Sequence, residues 1–323
     1  MHSNIKIVFL FSGQGSQYRG MGRKLFEQNA VFRNALEQTD SIVQKHLSRS
    51  LINELYNINQ PIFDDLLITH PAIVAVEIAM YKVMQSMSVK PDYVVGNSLG
   101  EFAAAVVSGI WSAETAIETA IEQAKAIVHN NITGGMLAVI HQKTKDVEDI
   151  YLKHNLFLAA DNFDGHFTVS GTVQDLDAFQ AELNKLNIQF LRLPVAVPFH
   201  SPLMEGGRNG FIYYMNTVSF LSETKSGFIS GIKYEALNEL PEDYFWNVVS
   251  KYTNFSKLVN YIEIKGPCLY IDLGPSGTSA TFVKYNLTTT SSSQTFQIMT
   301  PFKREEQQLE LLKKLMPTTK TFS

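Results

Sequence analysis

A serine in a Gly-x-Ser-x-Gly pattern is the residue best placed to perform chemistry in this sequence. Ser98 lies between Gly96 and Gly100, after the apolar run 93–95 and before the apolar run 102–107. A strand, a tight turn and a helix in this order form a nucleophile elbow, which presents the serine hydroxyl at the end of a sheet. The turn also leaves the first N–H groups of the helix free where an oxyanion would form. The five-residue pattern alone is equally compatible with a serine that only caps a helix, and the flanking elements favour catalysis.

A serine nucleophile needs a base that accepts its proton, and the sequence contains eight histidines. His200 is the best candidate, because it follows Phe199, lies between two prolines and stands where the chain returns to the main domain. The other histidines lie near the N-terminus, on a polar helix, after a strand-like run, or in and beside an inserted segment. From the residues alone, a histidine buried in a loop without a catalytic role is about as compatible with this pattern.

Composition narrows the class of protein. The chain has 323 residues, of which 45% are hydrophobic and 18% charged, as in a globular protein with one large or two smaller domains. The net charge of −4 gives no reason to expect a nucleic-acid partner. The single cysteine, Cys268, excludes an internal disulfide and fits a reducing compartment. We find no signal core, predict no membrane span and no metal site, and expect a cytoplasmic location.

The elbow has to be positioned by a sheet, and the first strand of that sheet is predicted over residues 5–11. A glycine-rich loop follows at 12–17, but it lacks the spacing of dinucleotide or nucleoside triphosphate loops. The glycines on either side of Gln14 instead let a polar amide lie close to another backbone. The loop therefore gives only weak support to dinucleotide binding.

Helical periodicity accounts for much of the chain up to the elbow. A helix is predicted over 31–46, with local breaks at Asn34 and Asp40. A second helix is predicted to begin at Thr69, with Pro71 at an early position where proline is tolerated.

A further helix is predicted over residues 113–129. Ser112 is a suitable N-cap for it, and its charged and apolar residues fall on opposite faces. Gln123 lies at the edge of the apolar face. A polar residue there is either a half-exposed flanking position or the lip of a pocket.

The pattern changes after residue 132. The elements from 136 to 193 follow the order β-α-β-β-α-β, which is the ferredoxin-like order. The sequence therefore predicts an α/β fold in which an α/β-hydrolase-like main domain, residues 1–131 and 196–323, carries an inserted ferredoxin-like α+β subdomain, residues 132–195. Because the chain leaves the insertion just before His200, we expect the subdomain to stand over the Ser98 end of the main sheet.

Five motifs now give the sequence a family resemblance. They occur in the order seen in malonyl-CoA:acyl carrier protein transacylases and in polyketide synthase acyltransferase domains, and the likeness covers nearly the whole chain, including the insertion. The motifs are FSGQGSQ at 11–17, THPA at 69–72, GNSLGE at 96–101, FHSPLM at 199–204 and DLGP at 272–275.

The resemblance implies a site. Ser98 would be the acylated nucleophile, His200 its base, and the backbone N–H groups of Gln14 and Leu99 the oxyanion hole. The family's Ser–His pair lacks a carboxylate, and a backbone carbonyl orients the histidine, supported by an amide at the position that resembles Asn254. The resemblance implies no bound cofactor, since the acyl group arrives on coenzyme A or on the phosphopantetheine of an acyl carrier protein, which is the expected partner. We expect a monomer that binds neither nucleic acid nor membrane.

Two positions depart from the family pattern. Asn97 stands where the family commonly has histidine, and Gln123 stands where transacylases of malonyl groups have an arginine that grips the carboxylate. No arginine lies between Ser98 and residue 191, and Lys125 falls on the outer face of its helix. A malonyl carboxylate would be desolvated and unpaired. The pocket, with Gln123, Asn97 and Phe199 as its predicted selectivity residues, should favour neutral acyl groups.

This combination resembles a stand-alone branch of the family that acts in trans on polyketide synthases. The first hypothesis is an acyl hydrolase that removes acetyl and other neutral monocarboxylic groups from acyl carrier proteins as a proofreading enzyme. The second is an acyl-CoA:acyl carrier protein acyltransferase, for acetyl, other monocarboxylic or malonyl groups, that loads carrier domains. A catalytically idle carrier-binding module is a third, and the intact Ser98, His200 and Gln14 argue against it.

Overall fold

The protein is described by a computed structural model that covers residues 5–57, 59, 63–220, 227–237 and 239–316. These residues form two five-stranded sheets with helices around them. In chain order the strands are β1 (Lys6–Phe11), β2 (Tyr93–Gly96), β3 (Gly135–Ile140), β4 (Phe157–Phe163), β5 (His166–Gly171), β6 (Gln189–Arg192), β7 (Gly227–Ile229), β8 (Thr253–Asn254), β9 (Cys268–Asp272) and β10 (Gln294–Gln297). The helices are α1 (Arg23–Gln28), α2 (Ala30–Leu47), α3 (Leu51–Tyr56), α4 (Leu66–Ser86), α5 (Gly100–Ser108), α6 (Ala113–His129), α7 (Lys145–Lys153), α8 (Val173–Lys185), α9 (Arg208–Met215), α10 (Tyr244–Ser250), α11 (Phe255–Glu263), α12 (Thr278–Asn286) and α13 (Glu305–Leu315), with a 3₁₀ helix at Pro202–Gly207.

The first sheet is parallel, in the order β10-β9-β1-β2-β7. Residues 8–11 of its central strand are buried on both faces, because helices cover both sides of a parallel sheet. The pairing of β1 with β2 ends at Phe11 opposite Gly96. The loop after β1 and the turn after β2 therefore leave the sheet side by side, at the edge where open α/β sheets bind their ligands.

The second sheet contains the inserted segment and confirms the α/β class with a ferredoxin-like subdomain. Its strands pair in the order β6-β3-β5-β4, all antiparallel, with α7 and α8 as the connecting helices. These four strands lie within the predicted limits of 132–195. The sheet also gains a fifth strand that the sequence did not indicate, since β8, from the returning part of the chain, pairs in parallel with β4.

Two helix predictions need correction. Helix α2 is unbroken at Asn34 and Asp40, because the buried Asp40 carboxylate accepts from Gln44 Nε2 (2.6 Å) and from the N–H of Ile52 (3.2 Å) and does not compete for its own helix backbone. Helix α4 begins at Leu66 and not at Thr69. Asp65 caps it by accepting from the N–H of Leu67 (3.1 Å), which places Pro71 in the second turn.

Helix α4 is long and strongly apolar. Its 21 residues would by length and composition also suit a membrane span, but 83% of its most apolar 18-residue window is buried inside the protein. It packs against α2, α5 and α6. This is the arrangement of a core helix, and α4 carries Thr69 and His70 towards the loop that follows β1.

Helix α6 has the predicted bounds, and Ser112 caps it by accepting from the N–H of Thr115 (3.0 Å). Gln123 is completely buried, which excludes the half-exposed flanking position, one of the two placements that the sequence left open. The helix packs against α2 and α4 as well as α5 and α9, so neighbouring helices cover the flank of its apolar face.

Candidate active site

The turn between β2 and α5 has the geometry of a nucleophile elbow. Ser98 has a φ of 55°, in the left-handed region that non-glycine residues rarely adopt, and the residue as a whole is 9% exposed. A Cβ atom on Gly96 would collide with the backbone of Gly100 and Glu101, and one on Gly100 would collide with the backbone of Phe11. Glycine is therefore required on both sides of Ser98, and such a strained turn is typical of a functional site.

The loop after β1 contacts this elbow. A Cβ atom on Gly13 would lie 2.6 Å from the carbonyl oxygen of Asn97 and 3.4 Å from the backbone nitrogen of Leu99. Within the described ranges, the backbone N–H groups of Gln14 and Leu99 donate to no protein acceptor. Two free N–H groups on adjoining segments next to a serine can stabilise an oxyanion.

The loop after β1 is anchored by a buried carboxyl group that the sequence analysis missed. Glu77 of α4 accepts from the N–H of Ser12 (2.6 Å) and lies near the Ser12 hydroxyl (3.3 Å). Burial raises the pKa of Glu77 well above its usual range, and the nearby Asp272 carboxyl adds to the shift. The available signal was a single charged residue within the otherwise apolar run 72–80.

His200 is held in one orientation and one tautomer. Its φ is 58°, its N–H donates to the carbonyl of Val249 (2.9 Å), and its Nδ1 contacts the carbonyl oxygen of Lys251 (2.7 Å). Because a carbonyl can only accept, Nδ1 carries the proton and Nε2 is free to act as a base. Burial lowers the pKa of His200 to about 4, against the opposing effect of the bond to Lys251, so the ring is neutral near pH 7.

A backbone carbonyl contacts His200 Nδ1, as the resemblance implied, but the supporting amide expected at Asn254 forms its hydrogen bonds elsewhere. The Asn254 side chain caps α11 by accepting from the N–H of Lys257 (2.8 Å), and its Nδ2 donates to the hydroxyl of Tyr252 (3.0 Å). The carbonyl that orients His200 belongs to Lys251. A backbone carbonyl carries no residue-type signal, so no sequence pattern could have identified it.

A cavity of about 260 Å³ opens between the two sheets at the elbow. The main domain contributes five of the predicted site residues to its wall, namely Gln14, Asn97, Ser98, Phe199 and His200. The inserted subdomain contributes both apolar and polar side chains, among them Met136, Ala138, Asn162, His166, Thr168 and Leu191. The subdomain thus stands over the Ser98 end of the main sheet, as predicted, and none of the described residues that line this cavity is an arginine or a lysine.

Gln123 lies behind the cavity wall. Its Nε2 donates to the carbonyl of Phe245 (2.6 Å), and its amide lies beside His70. His70 in turn stacks on Phe199, with ring centroids 5.7 Å apart and an angle of 19° between the planes. His70 and Phe199 thus connect Gln123, which does not line the cavity, with the cavity wall. Over the described ranges, no three His, Cys, Asp or Glu side chains are grouped as metal ligands.

Comparison with known proteins agrees with this geometry. The model of a family described as "Acyl transferase domain" matches residues 8–321. The chain belongs to the acyl transferase domain family.

Two relatives of this acyltransferase-family chain are similar over almost their whole length. The chain is 37% identical over 306 residues to the polyketide biosynthesis acyltransferase homolog PksD of Bacillus subtilis (strain 168), and the match covers 94% of each chain. It is 36% identical over 310 residues to the homolog BaeD of Bacillus velezensis, covering 95% of each.

Solved structures show that the fold is that of the same family. A loading acyltransferase from the avermectin modular polyketide synthase superimposes with a TM-score of 0.86 at 24% identity, over 96% of this chain and 99% of the other. The structure of MCAT from Streptococcus pneumoniae gives a TM-score of 0.77 at 23% identity, over 96% of this chain and all of the other. At these identities the likeness establishes the architecture of two sheets and an inserted subdomain.

Proposed function

We propose that this acyltransferase-family protein is a serine acyl hydrolase, which removes acetyl and other neutral monocarboxylic groups from acyl carrier proteins of a polyketide synthase. In this role it would act in trans and clear stalled acyl groups. The observation that carries the proposal is an elbow serine, Ser98, in a cavity whose described lining residues include no cation. Gln123 occupies the position at which a cation was expected, and its side-chain Nε2 donates to the Phe245 carbonyl.

The proposed reaction uses the groups around Ser98. His200 Nε2 takes the proton of Ser98 Oγ, and Oγ attacks the thioester carbonyl of the acyl-phosphopantetheine. The N–H groups of Gln14 and Leu99 donate to the oxyanion that forms. The C–S bond then breaks, the thiol leaves with the proton held by His200, and the acyl group stays on Ser98.

The second half of the reaction decides between hydrolysis and transfer. In the proposed hydrolysis, His200 takes a proton from water, the water oxygen attacks the acyl-Ser98 carbonyl, and Oγ leaves with the proton returned by His200. The products are a free carboxylic acid and the unmodified serine. Neither half requires a bound cofactor, because the phosphopantetheine belongs to the carrier substrate.

The neutral surroundings of Gln123 support a preference for uncharged acyl groups. Burial lowers the pKa of the neighbouring His70 to about 3, so this ring supplies no positive charge near pH 7. A carboxylate buried beside it would be unpaired, which costs several kcal/mol. An acetyl group requires no such partner.

The alternative function is transfer of an acyl group from coenzyme A to a carrier protein. It is favoured by the names of the two Bacillus relatives, which are acyltransferase homologs. Both functions share the first half-reaction, and only the acceptor, water or a second thiol, separates them.

The test incubates the protein with acetyl-, butyryl- and malonyl-carrier protein and follows each carrier by mass spectrometry. We expect the acetyl and butyryl carriers to return to the free thiol, with the corresponding acids released, and the malonyl carrier to react far more slowly. A parallel reaction with acetyl-CoA and unacylated carrier protein measures transfer. Acyl transfer that outpaces acid release would contradict the hydrolase proposal and support the alternative.

A pH profile tests the role of His200. A base must be unprotonated, and burial lowers the pKa of His200 to about 4. As the pH falls, kcat/KM should therefore persist through pH 6.5 and decline near pH 4. In His200→Ala, turnover at pH 7 should be lower by roughly 10²–10⁴. Circular dichroism at each pH separates loss of the base from loss of the fold, and normal kcat in the folded variant would remove His200 from the mechanism.

A further inference from the structure

A buried row of polar side chains connects the loop after β1 with helix α6. The distance from Gln14 Nε2 to Thr69 Oγ1 is 2.8 Å, and the distance from Gln14 Oε1 to His70 Nδ1 is 3.2 Å. The Gln123 amide also lies beside the His70 ring, and its Nε2 donates to the carbonyl of Phe245 (2.6 Å). His70 and Gln123 are both completely buried. The row thus joins a proposed oxyanion residue to the proposed selectivity residue through one imidazole.

The Phe245 carbonyl fixes the direction of hydrogen bonding at one end of the row. Since a carbonyl only accepts, Gln123 has to keep its Nε2 towards Phe245, which leaves its Oε1 as an acceptor. Within the described part of the chain, Gln123 Oε1 and His70 Nε2 are both buried without a partner of good geometry. If the His70 proton were on Nδ1, two acceptors would remain unpaired here. A proton on Nε2 supplies the donor that Gln123 Oε1 lacks.

This tautomer has a consequence at the other end of the row. With its proton on Nε2, His70 presents Nδ1 as an acceptor, so Gln14 has to donate to it. A half-turn of the Gln14 amide places its Nε2 at His70 Nδ1 and its Oε1 at Thr69 Oγ1. The Thr69 hydroxyl can donate as readily as it accepts. Every polar group in the row then has a partner, from the Thr69 hydroxyl to the Phe245 carbonyl.

We propose that His70 is a positioning residue. As the neutral Nε2–H tautomer, it binds Gln14 on one side and Gln123 on the other. It thereby fixes the position of the loop at residues 12–17, the oxyanion loop, relative to the acyl pocket. The face of the same ring stacks on Phe199, the residue before His200. The oxyanion loop, the pocket wall and the base-bearing segment thus all contact one side chain. The tautomer rests on the hydrogen bonds and the unpaired buried atoms of the row, whereas the catalytic effect rests on the proposed function.

The tautomer is measured directly on the unmodified protein. Nitrogen-15 NMR of the full chain labelled at histidine distinguishes protonated from unprotonated ring nitrogens, and the His70 signals are those lost in His70→Phe or His70→Gln. We expect Nε2 to carry the proton and Nδ1 to be unprotonated at pH 7. A proton on Nδ1 would overturn the proposal. This readout needs no catalytic activity, so it separates failure of this inference from failure of the proposed function.

Steady-state kinetics test the positioning role. His70→Phe keeps a ring to stack on Phe199 but removes both nitrogens, and it should lower kcat for acetyl-carrier protein by about 10- to 100-fold with a smaller change in KM, because a misplaced oxyanion loop acts on the transition state. His70→Gln, which can still donate and accept, should recover most of the rate. Unchanged kcat in folded His70→Phe, or equal losses in both variants, would overturn the proposal.

A matched control separates positioning from general stability. Thr39 is also a buried polar residue with a hydrogen bond, donated by Oγ1 to the carbonyl of Leu36 (2.9 Å), but it lies on α2 and does not line the cavity. Thr39→Val should lower the melting temperature and leave kcat unchanged. If Thr39→Val lowers kcat as much as His70→Phe does, the effect of His70 is structural and the positioning role is refuted.

Discussion

Replacing Ser98 by alanine should abolish both turnover and the covalent acyl-enzyme. Removal of the nucleophile from a serine–histidine pair lowers kcat by up to about 10⁶-fold, because the remaining oxyanion donors cannot form the intermediate. Ser98→Ala removes only the hydroxyl group from the elbow. Mass spectrometry of the protein mixed with acetyl-carrier protein should show no added acetyl group.

The control for this experiment is a serine remote from the cavity. Ser41 lies on the exposed face of α2, where its hydroxyl bonds to the carbonyl of Glu37 (3.0 Å). Ser41→Ala should gain acetyl mass at the rate of the unmodified protein, and proteolysis should locate that mass at residue 98. A Ser98→Ala protein that gained acetyl mass at the normal rate would place the nucleophile on another residue.

The elbow could be predicted because its requirements are local. Gly96 and Gly100 flank the serine at fixed spacing, and the structure shows that each is packed against backbone that leaves no room for a Cβ atom. The inserted subdomain was equally accessible to sequence reasoning, since its six elements follow one another through short connections. Strand β8 was not, because a two-residue strand at Thr253–Asn254 exists only through its pairing with the distant β4.

The sequence did not predict the environments of Gln123 and Asn254, because contacts with distant parts of the chain determine them. The apolar pattern of α6 predicted on which side of the helix Gln123 lies. It did not predict that neighbouring helices bury this residue completely. The amide of Asn254 lies three residues from the Lys251 carbonyl that orients His200, yet it faces Lys257 and Tyr252. Residue type indicated where a polar group was needed, and only the tertiary structure showed which one supplies it.

The second large effect concerns the charge of the acyl group. The unmodified protein should release acetyl from carrier protein more than about 10²-fold faster than malonyl, because an unpaired buried carboxylate costs about 3 kcal/mol or more. Longer unbranched acyl groups should also exceed malonyl, since each buried methylene contributes about 0.8 kcal/mol. The measurement is kcat/KM for each acyl-carrier protein, from the acid released.

Gln123→Arg should shift this ratio towards malonyl by restoring the cation. The shift should be incomplete, because residue 123 is completely buried and does not line the cavity. A guanidinium there would meet the Phe245 carbonyl to which Gln123 now donates, and His70 and Phe199 lie between it and the cavity. An arginine also needs supporting contacts to hold a bidentate geometry.

Two further variants separate charge from size. Gln123→Met has a similar length without charge and should retain the preference for acetyl, whereas Gln123→Lys supplies a point charge and should improve malonyl less than arginine does. Thermal melting of each variant shows whether the fold tolerates the change. If the unmodified protein instead loads malonyl onto Ser98 faster than acetyl and passes it to carrier protein, the hydrolase proposal is wrong. The protein would then be an extender-unit transacylase that anchors the carboxylate through a group other than residue 123.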